Sequence, residues 1–174
     1  MHSPTIEKLI KLFAKFPTVG PRTAGRFVFY LVKTPQEEIE EILQGIKDLK
    51  SKIKICSFCF DSFESAAAEE NDLCPICSDP RRDKTVVCVV EKETDLEIIE
   101  KTNQYKGLYF ILGGMITNLK KEKEKQKIEE RVSQLIERLK KEPAFAHNGA
   151  ATGEIILALN PTTEGQNTTL WLKR

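Results

Sequence analysis

Four cysteines constrain the fold of this chain more than any other feature. They form two C-x-x-C pairs, Cys56/Cys59 and Cys74/Cys77, with fourteen residues between the pairs. Each short pair makes a tight knuckle, and the segment between them is long enough to bring both knuckles together around one Zn²⁺ in tetrahedral geometry. Such a closed site is structural, so it predicts how this part of the chain is held together and leaves the function open.

Other roles for these cysteines are less well supported by the sequence. Disulfides persist in oxidising compartments, and the N-terminal apolar residues are interrupted by lysines and precede no small-residue cleavage site. A redox C-x-x-C needs one pair beside a thioredoxin-like βαβ unit.

The longest apolar run, 107–116, is about half of a membrane span. We therefore expect a cytoplasmic protein that has no membrane partner.

The net charge of +1 hides an uneven distribution of charged residues. Residues 1–34 contain six lysines or arginines and one carboxylate, Glu7, whereas the stretch 35–49 is acidic. A basic face can therefore exist on a chain of nearly balanced charge, and such a face favours contact with nucleic acid. The basic residues are Lys8, Lys11, Lys15, Arg22, Arg26 and Lys33.

Two helical patterns of apolar residues near the N-terminus are joined by the short segment 17–20. Pro21 suits the first turn of the second helix, where its missing N–H is no loss. Arg22 and Arg26 lie one turn apart, and backbone N–H groups at Gly20 and the helix N-terminus favour an anion. These residues predict a hairpin that contacts the phosphate backbone and not the bases. An ordinary αα-hairpin with solvated arginines fits the same spacing.

After the cysteines, the pattern changes to alternating strands and helices. Apolar, β-branched or aromatic runs at 85–90, 105–112 and 154–159 predict strands, with helical patterns at 95–102 and 127–141 between them. This alternation predicts a parallel α/β sheet with right-handed crossovers.

Ligands of parallel sheets bind beyond the carboxyl ends of the strands, where Glu91 and Glu164 fall. Two carboxylates can share a Mg²⁺, but the third strand is followed by Asn160 and Thr162 in place of further anions. A structural role is also open, in which both glutamates cap helices.

Five motifs, in this order, resemble the RecR recombination-mediator family over essentially the whole chain. They are FPTVGPRTAGR at 16–26, the four cysteines, VCVVE at 87–91, YKGLYFILGG at 105–114 and NPTTEG at 160–165. The first resembles the family's helix-hairpin-helix, and the last three resemble its Toprim domain. The resemblance implies a mixed α+β and α/β fold, with an N-terminal helix-hairpin-helix, a four-cysteine zinc finger and a Toprim-like parallel α/β domain.

The resemblance also implies a function in recombinational DNA repair that is not enzymatic. Members bind DNA as ring-like oligomers and work with RecO and RecF to load recombinase on gapped DNA. Arg22 and Arg26 occupy the basic hairpin positions that contact DNA in the family. Toprim enzymes have Asp-x-Asp where this chain has Asn160 and Thr162, which argues against nucleotidyl transfer. Glu91 and Glu164 keep acidic positions on a face associated with partner contact.

The expected domains are a helical domain at 1–54, a zinc finger at 55–79 and a Toprim-like domain at 80–174. Compared with the family, we expect the last domain to be shortened, because RecR-like chains usually continue past the position of Arg174 with a segment that helps to close subunit contacts. They also usually have glycine where this chain has Thr18. Two alternative functions are a Mg²⁺-dependent Toprim nuclease or primase, and a zinc-held protein-interaction scaffold.

Overall fold

The computed structural model describes residues 3–65, 72–116, 122–141 and 153–173. The chain divides into two compact units, Met1–Lys52 and Ile53–Arg174. Among the described residues, no helix combines the length and the apolar character that crossing a lipid bilayer requires. The finer division into three domains stays a prediction.

The first unit consists of three helices. They are α1 (Pro4–Phe13), α2 (Pro21–Lys33) and α3 (Gln36–Lys52). Ser3 caps α1 by accepting a hydrogen bond from the Ile6 N–H at 3.4 Å. The helix ends at Phe13. Beyond Ala14, the N–H groups of Lys15 and Phe16 bond only three residues back, in a tight turn. The segment that joins α1 and α2 is therefore longer than the four residues expected from the sequence.

Packing within the first unit is sparse. On its three helices, only Ala24 and Val28 of α2 are buried. The rings of Phe13 and Phe27 meet edge to face with centroids 6.1 Å apart, which joins α1 to α2. Apolar side chains from all three helices line an open groove of about 520 Å³. The unit therefore leaves much of its apolar surface exposed to solvent.

The second unit begins with the cysteine-containing segment. Two three-residue strands, β1 (Ile53–Ile55) and β2 (Ser62–Glu64), pair antiparallel, and the short helix α4 (Pro75–Ser78) follows. The Ser57 N–H donates to the Asp72 carbonyl at 2.7 Å, which links the two halves of the segment. The sequence analysis did not predict this strand pair.

A parallel sheet forms the rest of the second unit, as predicted. Its elements are β3 (Asp83–Val90), α5 (Glu93–Lys101), β4 (Gly107–Ile111), α6 (Glu122–Lys141), β5 (Glu154–Ala158) and α7 (Thr163–Leu172). The strand order is β4-β3-β5, and both pairings are parallel. Val87 in the central strand pairs with Leu108 on one side and Ile155 on the other. The central position of β3 explains its apolar run, because both of its faces are covered.

The two faces of the sheet pack against different helices. On one face, Val89 and Phe110 belong to a core cluster that includes Ile128 and Leu135 of α6. On the other face, Cys88 belongs to a cluster that contains Leu96 of α5 and Tyr109 of β4. Burial raises the pKa of the Cys88 thiol to about 11. Cys88 is therefore a small core side chain, as the sequence predicted.

Candidate metal centre and nucleic-acid interface

The four cysteines of the two C-x-x-C pairs, called here the cysteine cluster, meet at one point. Their Sγ atoms all lie within 4.8 Å of one another, and the sulfurs of Cys59 and Cys74 are 3.5 Å apart. All four are buried free thiols. Four thiolates about 2.3 Å from one ion would lie about 3.8 Å apart, so the cluster fits one tetrahedral metal ion. In the described part of the chain, no other group of three or more potential ligand side chains lies within such reach.

Backbone N–H groups point at the sulfurs of the cluster. The Cys74 N–H donates to Cys56 Sγ at 3.3 Å, and the Asp61 N–H donates to Cys59 Sγ at 3.5 Å. Such bonds orient thiolate ligands and spread their negative charge. The site is therefore prepared to hold thiolates, which is the form that binds a metal.

An arginine of α6 holds the first knuckle. Arg138 donates from Nη1 to the Phe58 carbonyl, and its guanidinium lies 5.8 Å from the centroid of the Phe58 ring and 4.9 Å from that of Phe60. Burial lowers the pKa of Arg138, whereas nearby cysteines, the first of them Cys56, act in the opposite direction. The positive charge of Arg138 therefore faces a cluster that, with a divalent ion and four thiolates, carries a net charge of about −2.

Phe60 anchors the first knuckle to the sheet. Its backbone has a positive φ of 66°, which is unusual for a residue other than glycine. Its ring meets Phe110 edge to face at 5.4 Å, and the guanidinium of Arg131 lies 4.6 Å from its centroid. The Ile111 N–H also donates to the carbonyl of Cys59 at 2.9 Å. The metal-binding segment and the edge strand β4 are therefore joined by both side-chain and backbone contacts.

The hairpin before α2 contains a residue in the left-handed backbone conformation, at the position where the sequence motif suggests a glycine. Thr18 has a positive φ of 64°, the left-handed conformation that glycine adopts most easily. A glycine would adopt this conformation at lower cost than Thr18 does. Gly20 precedes α2 with φ −82°, and no side chain caps the helix N-terminus. The N–H groups of the first turn are thus open to an anion from outside the chain.

Arg22 and Arg26 lie on the exposed side of α2. Because they are four residues apart, they are on one face of the helix, about 6 Å apart along its axis. Both are exposed, and the buried Ala24 and Val28 are on the opposite face. Within residues 3–65, 72–116, 122–141 and 153–173, neither arginine makes a side-chain hydrogen bond or an ion pair. The structure therefore places both guanidiniums where an external phosphate can reach them, and their role in binding stays a prediction.

At the carboxyl end of the sheet, Glu91 is joined to the segment after β5. The Asn160 amide donates from Nδ2 to Glu91 Oε2 at 2.9 Å. Asn160 is therefore a hydrogen-bond donor to the Glu91 carboxylate. An aspartate at position 160 would repel that carboxylate. Glu164 lies in the first turn of α7, whose N-cap Thr162 accepts a hydrogen bond from the Gly165 N–H at 3.1 Å. A negative charge in the first turn stabilises a helix, which is the structural role considered for Glu164.

Gly113 lies beside Arg131 at the same end of the sheet. Its φ of +81° is a conformation that glycine adopts without strain, and a Cβ at this position would also displace the end of the Arg131 side chain. Arg131 donates from Nη1 to the Ile111 carbonyl at 3.1 Å. Sequence reasoning did not single out Arg131 or Arg138. The two arginines are seven residues apart and lie beside the apolar positions of α6. This spacing could have indicated that both cations lie on one edge of the core-facing surface of the helix.

Comparison with known proteins identifies the class of two parts of the chain. Residues 6–50 match the family profile described as "RecR, helix-hairpin-helix", and residues 85–174 match the profile described as a Toprim domain. The chain thus combines a helix-hairpin-helix, a cysteine cluster and a Toprim domain.

Relatives that match nearly the whole chain extend the family assignment beyond these two parts. The recombination protein RecR of Bifidobacterium adolescentis is 38% identical over 173 residues, which are 99% of this chain and 78% of that protein. The proteins of the same name from Rubrobacter xylanophilus and Chloroflexus aggregans are 35% and 39% identical, over 98% and 97% of this chain and over 77% and 74% of their own lengths. The chain therefore belongs to the RecR family, as the five motifs predicted.

Proposed function

We propose that this protein is a DNA-binding mediator of recombinational DNA repair. It acts on gapped DNA with RecO- and RecF-like partners and loads recombinase there. The observation that carries the proposal is the exposed pair Arg22 and Arg26 beside the open N-terminus of α2, in a region that matches the RecR helix-hairpin-helix. Relatives that bear the name recombination protein RecR support the same assignment.

The chemistry of the hairpin suits a phosphate backbone. Two arginines spaced about 6 Å apart along the helix axis can reach neighbouring phosphates of a DNA strand, and an uncapped helix N-terminus adds N–H donors and a partial positive charge. The helix α2 contains Arg22, Arg26 and Lys33 and no aspartate or glutamate. Contacts of this kind position a protein on DNA without reading the sequence, as a mediator at gaps of any sequence requires.

The test is DNA binding by an Arg22→Ala/Arg26→Ala variant. We expect the affinity for a gapped duplex in about 50 mM salt to fall roughly 10- to 100-fold, because two phosphate contacts are lost. The slope of log K against log salt concentration should fall in magnitude by about 1.8, since each contact releases about 0.9 counterions. Fluorescence anisotropy over a salt series measures both quantities.

A charge-matched control separates this site from the general effect of net charge. Lys47→Ala/Lys50→Ala removes two positive charges from exposed positions of α3 in the same unit. We expect this control to bind gapped DNA within about twofold of the unaltered protein. Equal binding by the two double variants would remove the assigned DNA site.

Gly20 provides a second, independent probe of the contact. We expect Gly20→Ala to leave the free energy of unfolding within about 0.5 kcal/mol, because a less favourable cap is offset by a less flexible unfolded chain. A Cβ at this position meets nothing within 4 Å, so the fold accepts it. The added methyl lies at the helix N-terminus and should weaken DNA binding roughly 3- to 10-fold by holding phosphate away. Urea unfolding and anisotropy measure the two effects, and an unchanged affinity would exclude close approach at Gly20.

The Toprim face is proposed as a partner-binding surface and not as an active site. Asn160 donates a hydrogen bond to Glu91, in a motif where Toprim enzymes have aspartate. We therefore assign no catalytic residue, and we propose that Glu91 and Glu164 contribute to contact with RecO- or RecF-like proteins.

We infer that the ion of the cysteine cluster is Zn²⁺. Four thiolates in tetrahedral geometry with no open position are typical of structural zinc, which holds the fold and supplies no catalysis. The residues that would bind it are Cys56, Cys59, Cys74 and Cys77. We expect one zinc per chain in the purified protein.

We also propose that the protein is a cytoplasmic homo-oligomer. The three helices of the first unit leave large apolar side chains exposed, including Ile42, Ile46 and Leu49 of α3. Their groove of about 520 Å³ is lined almost entirely by apolar residues. Exposed apolar surface of this extent is typical of subunit contacts. The protein's mass in solution, with and without gapped DNA, tests this assignment.

A further inference from the structure

The second helix of the hairpin carries an exposed tyrosine in line with its two arginines. Arg22, Arg26 and Tyr30 are spaced four residues apart along α2, so they form one stripe on the helix surface, about 12 Å long. Tyr30 is 64% exposed, which is unusual for a large aromatic side chain. Across the described parts of the chain, its side chain makes no hydrogen bond and its ring meets no other ring. Most of the Tyr30 side chain is therefore available to a partner from outside the folded unit.

Tyr30 is separate from the apolar groove of the same unit. The groove is lined on α2 by Val28, Leu31 and Val32, which lie on another face of the helix. A second copy of the chain seated in the groove would thus not account for the exposure of Tyr30. The neighbours of Tyr30 along its own stripe are cations, because Lys33 follows Arg26 on this side and α2 contains no acidic residue.

We propose that Tyr30 is a stacking platform for an unpaired DNA base and that the stripe binds single-stranded DNA. Proteins that bind single strands combine a positively charged track with aromatic rings on which bases stack. Here Arg22 and Arg26 supply the track, and Tyr30 supplies a ring about 6 Å further along the helix. A base paired within a duplex keeps its faces covered, so only an unpaired base can use the ring. This inference rests on the proposed function and adds a preference for single-stranded DNA at a gap.

The test compares a single-stranded thymidine oligonucleotide of about 20 nucleotides with a duplex of equal length, using the full chain and fluorescence anisotropy. Tyr30→Ala should bind the single strand roughly 5- to 100-fold more weakly, which is the contribution of one stacked base. Its duplex affinity should stay within about twofold, and its salt slope should not change, because the ring carries no charge. Tyr30→Phe should bind both substrates normally, since it keeps the ring. Lys33→Ala should weaken both substrates alike and lower the salt slope.

Three outcomes would overturn the inference. Normal single-strand binding by Tyr30→Ala, together with weakened binding by Arg22→Ala/Arg26→Ala, removes the stacking site and leaves the phosphate site intact. Normal binding by both variants removes the proposed DNA site itself. Equal losses on both substrates, accompanied by a change in the mass of Tyr30→Ala in solution, would assign Tyr30 to a subunit contact.

Discussion

A Cys59→Ser variant is expected to bind no stoichiometric metal and to lose on the order of 5 kcal/mol or more of the folding free energy of the unit Ile53–Arg174. The cysteine-containing segment has little apolar packing of its own, because its cluster consists of the four buried cysteines and a few half-buried side chains such as Phe63 and Leu73. A segment of this size rarely folds on its own apolar contacts. Metal analysis of the purified variant and urea unfolding measure the two effects.

Cys88 provides the matched control for this prediction. It is equally buried, but it lies in the central strand and outside the cysteine cluster. We expect Cys88→Ala to keep one metal per chain and to lose only about 1 kcal/mol, the contribution of a small core side chain. Treating the unaltered protein with a strong chelator should reproduce the Cys59→Ser result. A Cys59→Ser variant that retains one metal ion per chain would contradict the assigned ligand set.

An Arg82→Met variant is expected to lose about 2 to 4 kcal/mol of folding free energy at pH 7, because it leaves the Glu100 carboxylate half-buried without its partner. The two side chains are only 12% and 28% exposed. Arg82 donates from Nη1 to Glu100 Oε2 at 3.1 Å and to the carbonyls of Tyr105 and Gly107 at 3.4 Å. The Tyr109 hydroxyl donates to the same carboxylate at 2.9 Å, so one network joins the turn before β3 to α5 and β4.

The pH dependence identifies the mechanism of this loss. Hydrogen bonds from Arg82 hold the pKa of Glu100 below its ordinary value, so the pair stabilises the fold above about pH 4.5 and this stabilisation is lost as pH falls through the lowered pKa. The deficit of Arg82→Met should therefore shrink between pH 7 and about pH 4, as its unpaired carboxylate takes up a proton. Urea unfolding at both pH values measures this change. Arg82→Met/Glu100→Gln should recover part of the stability, and a deficit that does not vary with pH would show that Glu100 is not its cause.

The features that the sequence predicted are those encoded by local spacing. The interval between the two C-x-x-C pairs is enough to bring four sulfurs together, and the β-branched run 86–90 is enough to indicate a central parallel strand. Arg22 and Arg26 share an exposed face because four residues make slightly more than one helical turn.

Other features depend on contacts that no local pattern carries. The strands β1 (Ile-Lys-Ile) and β2 (Ser-Phe-Glu) do alternate apolar and polar residues, but three residues are too few for this alternation to indicate a strand. The sequence leaves open that Glu164 caps a helix, but it does not predict the extent of α7, because the apolar residues of α7 do not recur at helical intervals and the Thr162 cap is what fixes its start. The contacts of Arg131 and Arg138 with Phe60 join segments more than 70 residues apart. Only the folded chain brings them together.

The left-handed backbone conformation of Phe60 and the position of its ring have a consequence for protein engineering. A metal-binding loop that is taken from an unrelated protein and inserted here would bring its own four sulfurs, but it would lack an aromatic ring seated between the guanidiniums and Phe110. Such a chimaera would saturate with metal and still leave the edge of β4 unsupported. We therefore expect an exchanged loop to keep these contacts with β4 and α6 only when Phe60, Arg131 and Arg138 are transferred together.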